Sequence, residues 1–153
     1  MDILALDLSS RTGWARSKGF DAPRHGVWRL DGDLGRRCSA LAAALEDELA
    51  FPPDLVIVEA PLPAQAQGST DTARNQFGLA AVAEMICHER GVTCEEASAI
   101  DVRRLVMGKA KMDKAGVMAW CRAQGWAPRD DNAADALALL RYRHTLDRSR
   151  VMA

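Results

Sequence analysis

Apolar and polar positions alternate along the chain in a way that separates short strand-length runs from longer helical ones. "DILALDLS" (2–9) is an apolar run of strand length, and "TGWARSKG" (12–19) and "HGVWRL" (25–30) are two further short runs broken by Gly, Asp and Pro, which predicts an antiparallel meander. "LGRRCSALAAALEDELA" (34–50) has helical periodicity, and "FPPD" ends it before the apolar run "LVIVEAP" (55–61). A strand, a crossover helix and another strand imply parallel pairing through a right-handed connection. Residues 61–72, rich in Pro, Ala, Gln, Gly and Ser, read as a loop, and "TARNQFGLAAVAEMICHERG" (72–91) as a second helix closed by Gly91. A short strand "VTCEEA" follows, then a helix from about Ser98, a Gly/Lys loop "MGKAKMDK", a helix to about Gln124, a break at "GWAPRD" and a last helix in "DDNAADALALLRYRH" (130–144). The prediction is one α/β domain over residues 1–153, a mixed five-stranded sheet flanked by helices in the order βββαβαβ followed by helices.

The last helix is unusual, because seven of the eight residues from Ala133 to Leu140 are apolar and the eighth is Asp135. Such a segment reads as a central, buried helix rather than an amphipathic surface one. Asp131 and Asp135 are spaced i, i+4, and Asn132 and Asp135 i, i+3, so either pair shares one face. A buried carboxylate must take up a proton or find a cation or donors. The bland explanation is that Asp130 and Asp131 favour the helix N-terminus while Asp135 pairs with an Arg.

Composition narrows the class. An apolar fraction of 48% and a charged fraction of 27% are those of an ordinary globular protein. No apolar run approaches a membrane span and the N-terminus lacks a basic start, which predicts a cytoplasmic protein. Cys38, Cys87, Cys94 and Cys121 form no CxxC pair and have no His at zinc-ligand spacing, so they read as reduced core thiols. His25, His88 and His144 read as surface or capping residues, and the four Trp as core or rim. The net charge of −1 is uninformative, but its distribution is not. Residues 101–125 carry Arg103, Arg104, Lys109, Lys111, Lys114 and Arg122 against Asp101 and Asp113, a net of +4. Residues 141–153 are net +3, and residues 44–60 are net −5.

Asp7 ends the first strand and Glu59 ends the strand after the crossover helix. Parallel neighbours place those ends roughly 5 Å apart, at the edge where open sheets bind ligands. Two strand-end acids with acids from a late buried helix make an all-oxygen cluster that suits Mg²⁺ or Mn²⁺. A carboxylate-held pair of such ions activates water for in-line phosphodiester displacement, so the implied reaction is hydrolysis of a nucleic-acid backbone. The lysines of "GKAKMDK" would offset phosphate charge beside it.

With these residues in place, the sequence resembles the RuvC family of Holliday-junction resolvases, of the ribonuclease H-like superfamily, and looks most like its divergent phage-type members. "ALDLSSRTGWA" resembles the family's first-strand motif, with Asp7 as catalytic acid, and "LVIVEAP" its second, with Glu59. "VRRLVMGKAKMDKAGV" resembles the DNA-contacting segment before the last helix, and "NAADALAL" the closing motif, where Asp135 corresponds to the last catalytic acid. The resemblance implies a Mg²⁺-dependent endonuclease of branched DNA, with two ions held by Asp7, Glu59, Asp135 and either Asp131 or Asn132. Asp131 is assigned because it is the anionic one. It further implies phosphate contacts from Arg74, Arg103, Arg104, Lys109, Lys111 and Lys114, and a homodimer formed through residues 72–91, with Phe77, Val82, Met85 and Ile86 at the interface.

The chain departs from the family in two places. Asn132 stands where an Asp or His is usual, and the loop after Glu59 offers Leu62 as its only large apolar residue before Phe77, with no aromatic to wedge a crossover. Three other readings remain open. One is a nuclease of the same fold acting on structured RNA or hybrid. A second is an actin-like or sugar-kinase-like ATP-binding domain, because "DLSSRTG" also resembles that superfamily's phosphate-binding turn, although such kinases need a second related domain. The third is a non-catalytic DNA-binding module.

Overall fold

The computed structural model describes residues Met1–Ala153 apart from the side chain of Ala64. Strands β1 (Asp2–Asp7), β2 (Arg11–Lys18) and β3 (Arg24–Arg29) form the antiparallel meander. Helix α1 (Leu34–Glu48) crosses over to β4 (Leu55–Glu59), and α2 (Thr70–Glu89) crosses to β5 (Thr93–Ala97). Three helices close the chain: α3 (Ala99–Met107), α4 (Lys114–Ala123) and α5 (Asp131–Met152). The sheet order is β3-β2-β1-β4-β5, with β1 parallel to β4 and β4 parallel to β5.

Period-two alternation sorts the sheet's side chains into two cores. Leu4, Leu6, Val56 and Val58 point to one face, where they pack with Leu41, Leu45, Leu79 and Ala83 of α1 and α2. Ile3, Ala5, Ala15, Leu55 and Ile57 point to the other, against Val102, Val117 and the α5 residues Ala134, Leu137 and Ala138. Asp7 continues the Ile3–Ala5 phase and Glu59 the Leu55–Ile57 phase, so both acids emerge on the α5 face.

Local signals fix the helix starts. Asp33, Ser69, Ser98, Asp113 and Asp130 are N-caps, each accepting a backbone N–H three residues on. Gly108 ends α3 in the left-handed conformation, φ 71°, at no steric cost. Asp130 is thus spent on capping α5, as the bland reading of the acidic helix holds.

The structure corrects several expectations. The loop after Glu59 contains a 3-10 turn, Ala64–Ala66, and α2 begins at Thr70, two residues early. Helix α5 continues to Met152, so the basic run 141–153 is mostly helix. Arg143 within it is buried and bonded through Nε to Glu95 Oε2 at 2.7 Å, tying α5 to β5. His144 is neither surface nor cap: it is buried against Ser17 Oγ, 3.1 Å from Nε2, and burial lowers its pKa. Val82 and Ile86 pack into the α1/α2 core, so the exposed stripe of α2 consists of Phe77, Ala81 and Met85. All four cysteines are free thiols, two of them buried. No helix is long and apolar enough to cross a membrane.

Candidate active site

Asp7 and Glu59 sit side by side because Leu6 and Val58, one residue earlier, are direct parallel partners. On the other side of Asp7 the ladder partner is Gly13. A Cβ built on Gly13 would overlap the Asn132 carbonyl and stand 3.0 Å from the Ala133 nitrogen. The missing side chain therefore lets the first turn of α5 rest on β2, which brings Asp131 and Asp135 over the strand ends.

The four carboxylates feel one another. Burial holds Asp7 well above the usual carboxylate range, and Glu59, Asp135 and Asp131 push it further, with Arg103 pulling back. Burial and Asp135 push Glu59 up to about 7. Asp135 is raised by burial and moderated by Arg103, whose Nη2 lies 3.6 Å from Oδ1. Asp131 is lowered by Lys114, whose Nζ lies 2.6 Å from Oδ2. Among the described residues, no hydrogen bond reaches the Asp7 or Glu59 carboxylate.

In this conformation no three His, Cys, Asp or Glu side chains among the described residues converge closely enough to enclose a metal ion. Two protein cations stand there instead, Arg103 on Asp135 and Lys114 on Asp131. The donor set nevertheless fits a hard cation. Asp7 and Glu59 are desolvated carboxylates without hydrogen-bond donors, each pushed further up by a neighbouring acid, and oxygen-only ligands are what Mg²⁺ and Mn²⁺ take. Beside them opens a recess of about 250 Å³, lined by Asp7, Glu59, Pro61, Leu62, Gln76 and Arg103. A wider recess of about 550 Å³ lies at the far end of the sheet. Its buried Arg16 is already satisfied by Asp2, Glu48 and the Phe51 carbonyl.

The raised pKa of Glu59 makes stability depend on pH. Its folded pKa is raised, so its stabilising neutral form is retained at low pH, below the unfolded value near 4.5, and is lost as pH rises through about 7. In chelator, Glu59→Gln should raise the stability of the protein at pH 8 by roughly 2–3 kcal/mol and change it little at pH 4. Denaturation midpoints that match wild type at both pH values would contradict the burial of Glu59 beside Asp135.

The predicted phosphate contacts are distributed unevenly. Lys109 and Lys111 are exposed in the α3–α4 loop and form no ion pair among the described residues. Arg104 is exposed but pairs with Asp101 at 3.3 Å. Arg103 reaches into the acid cluster itself, whereas Lys114 stays exposed and meets Asp131 from the solvent side. Arg74 lies on the other side of the sheet, in a recess between the N-termini of α1 and α2 with Arg37, Asp33 and Asn75. The sequence signalled a basic run but not which members would serve as counter-charges to the acids.

No family model and no curated protein sequence matches the chain. Solved structures do. Thermus thermophilus RuvC aligns over 97% of this chain and 96% of its own, at 20% identity and a TM-score of 0.75. T. thermophilus RuvC in complex with Holliday junction substrate aligns over the same shares at 20% identity, with a TM-score of 0.82. The yeast mitochondrial Holliday junction resolvase Ydc2 aligns over 98% of this chain and 82% of its own, at 12% identity and a TM-score of 0.66. At these identities the likeness is one of fold. The mixed five-stranded sheet with helices on both faces is the ribonuclease H-like fold as RuvC builds it.

Proposed function

We propose that the chain is a divalent-metal-dependent endonuclease that cleaves Holliday junctions and other branched DNA by phosphodiester hydrolysis, acting as one domain over residues 1–153. The observation that carries this is the side-by-side placement of Asp7 and Glu59 at the carboxyl ends of two parallel strands, both desolvated and without donors, with Asp135 and Asp131 of α5 near enough to push Asp7 further up. Its support from outside the chain is a fold shared with resolvases, one of them described in complex with a Holliday junction substrate. Asp7, Glu59, Asp135 and Asp131 would hold Mg²⁺, two ions per site, with Mn²⁺ able to substitute. When bound, such ions supply an activated water and charge stabilisation at the attacking and leaving oxygens. Asp131 is preferred to Asn132 because its carboxylate faces the site through Lys114, which can release it to a stronger cation. Lys109, Lys111 and Arg104 would steady the phosphates flanking the cut, and the protein would act in the cytoplasm.

Resolving a four-way junction takes two symmetry-related cuts, and one domain carries a single site, so the working unit is proposed to be a two-fold homodimer. Phe77, Ala81 and Met85, spaced i, i+4, i+8, give α2 an exposed apolar stripe for it, with Phe77 46% and Met85 50% exposed. Sedimentation at micromolar concentration should give a dimer that Met85→Glu dissociates. A wild-type monomer both alone and on junction DNA would contradict this.

The experiment on substrate class compares a four-way junction, a fork, a linear duplex and an RNA–DNA hybrid, each in Mg²⁺ and in chelator. Leu62, the exposed apolar residue of the loop beside the site, offers no ring to replace base stacking at an opened crossover. Junction and fork should therefore be cut at comparable rates and duplex poorly. A preference of about a hundredfold for the intact junction would overturn the reasoning about the loop. Selective cutting of the hybrid would assign the chain to RNA instead.

A further inference from the structure

We infer that Arg11 and Arg29 form a two-armed phosphate clamp on the β2–β3 flank of the acid site, gripping the backbone of the strand that crosses Asp7. This rests on the proposed function and adds to it a contact that the basic run 101–125 does not supply.

Arg11 and Arg29 are direct partners in the antiparallel β2–β3 ladder. Directly opposed residues point to the same face, with Cα atoms about 5 Å apart. The phase of that face is set by three neighbours on β2. Gly13 abuts Asn132, Ala15 lies in the α5-side core, and Ser17 bonds to His144 of α5. Arg11 is in the same phase, and it is two residues from Gly13, the ladder partner of Asp7. At about 3.4 Å per residue, that places its Cα roughly 7 Å along the strand direction from the acid. The pair is held in place because Leu30 N donates to Ser10 O at 2.8 Å, continuing the ladder one step beyond it.

Two like charges directly opposite on a sheet repel. Both arginines are exposed, and neither takes part in an ion pair among the described residues. By contrast, Arg16, Arg103, Arg104 and Arg143 all have carboxylate partners. A ligand with two acceptor edges relieves the repulsion, and guanidinium forks bind phosphate in that way. With Arg103 beside Asp7 and Glu59 on the β4 side, the clamp sets the acid cluster between two basic groups. A strand drawn across both would lie over Asp7.

The test is binding of a labelled four-way junction in chelator across a salt series, using Arg11→Gln/Arg29→Gln and Arg11→Lys/Arg29→Lys. The Gln pair should weaken binding about tenfold at 0.1 M salt and lower the slope of log affinity against log salt by roughly one, as for one lost phosphate contact. The Lys pair should keep the slope. In low salt the Gln pair should melt no lower than wild type, since repulsion is removed rather than a structural contact. Wild-type affinity and slope in the Gln pair would overturn the clamp, as would a Lys pair that loses the slope equally. Wild-type cleavage of the same junction in Mg²⁺ is measured alongside. If wild type binds and cuts while the Gln pair is unchanged, the clamp alone fails. If wild type neither binds nor cuts, the proposed function fails and takes the clamp with it.

Discussion

Replacing Asp7 by Asn should abolish cleavage of branched DNA, by about a thousandfold or more, while leaving junction affinity within about threefold and making the metal-free protein more stable at pH 8. The three parts have one cause. Asp7 is desolvated among Glu59, Asp135 and Asp131, and the raised pKa means that folding works against its charge. An amide of the same shape removes that charge, so the fold gains stability as pH rises above the usual carboxylate range. The same amide is a poor ligand for a hard cation, so hydrolysis is lost. Binding persists because Lys109, Lys111 and the rest of the basic surface are untouched. A variant that loses cleavage and stability together would instead mark Asp7 as a structural acid. One that cuts at the wild-type rate would remove it from the site.

Gly13→Ala should cost about 2–3 kcal/mol of stability and about a hundredfold in cleavage, although alanine is a modest change in a strand. The added methyl meets the Asn132 carbonyl and the Ala133 nitrogen, which are backbone atoms of the first turn of α5 and cannot rotate away. Either β2 bends outward or α5 lifts, and α5 carries Asp131 and Asp135. A displacement of about 1 Å suffices to spoil the geometry that the proposed hydrolysis requires. Gly68→Ala is the control: a Cβ there meets nothing within 4 Å, so stability should stay within about 0.5 kcal/mol. Thermal denaturation and junction cleavage of the two variants, side by side, check both halves. Equal behaviour of Gly13→Ala and Gly68→Ala would show that α5 does not rest on β2 as described.

The strand meander, the crossover to β4 and the pairing of Asp7 with Glu59 were legible because each depends on local signals: apolar runs, Pro and Gly breaks, and the handedness of the connection. The acids of α5 were legible for the opposite reason, as polar exceptions in an apolar segment. What the pattern could not reveal was partnership at long range. His144 read as a surface residue because nothing near it in sequence announces Ser17, which is 127 positions away. The full length of α5 was hidden because its last turns, Asp147–Met152, contain no buried residue and so carry no apolar stripe against the sheet. Arg103 read as an outward basic residue, and only the packing of α3 beside α5 turns it onto Asp135; Lys114 is outward as read, but its pairing with Asp131 across the α4–α5 contact is not visible in the sequence. The opposition of Arg11 and Arg29 is a matter of hairpin register, which the sequence of the β2–β3 connection does not display.

The most direct measurement of the central claim is cleavage of an end-labelled four-way junction by the wild-type protein with Mg²⁺, beside the same reaction in chelator and with Asp135→Asn. The proposed site predicts paired, symmetry-related nicks in Mg²⁺ only, with ends that a DNA ligase can rejoin, and none from the variant. Nicks that survive chelation or the loss of the Asp135 carboxylate, or an intact junction after prolonged incubation in Mg²⁺ with bound protein, would contradict it.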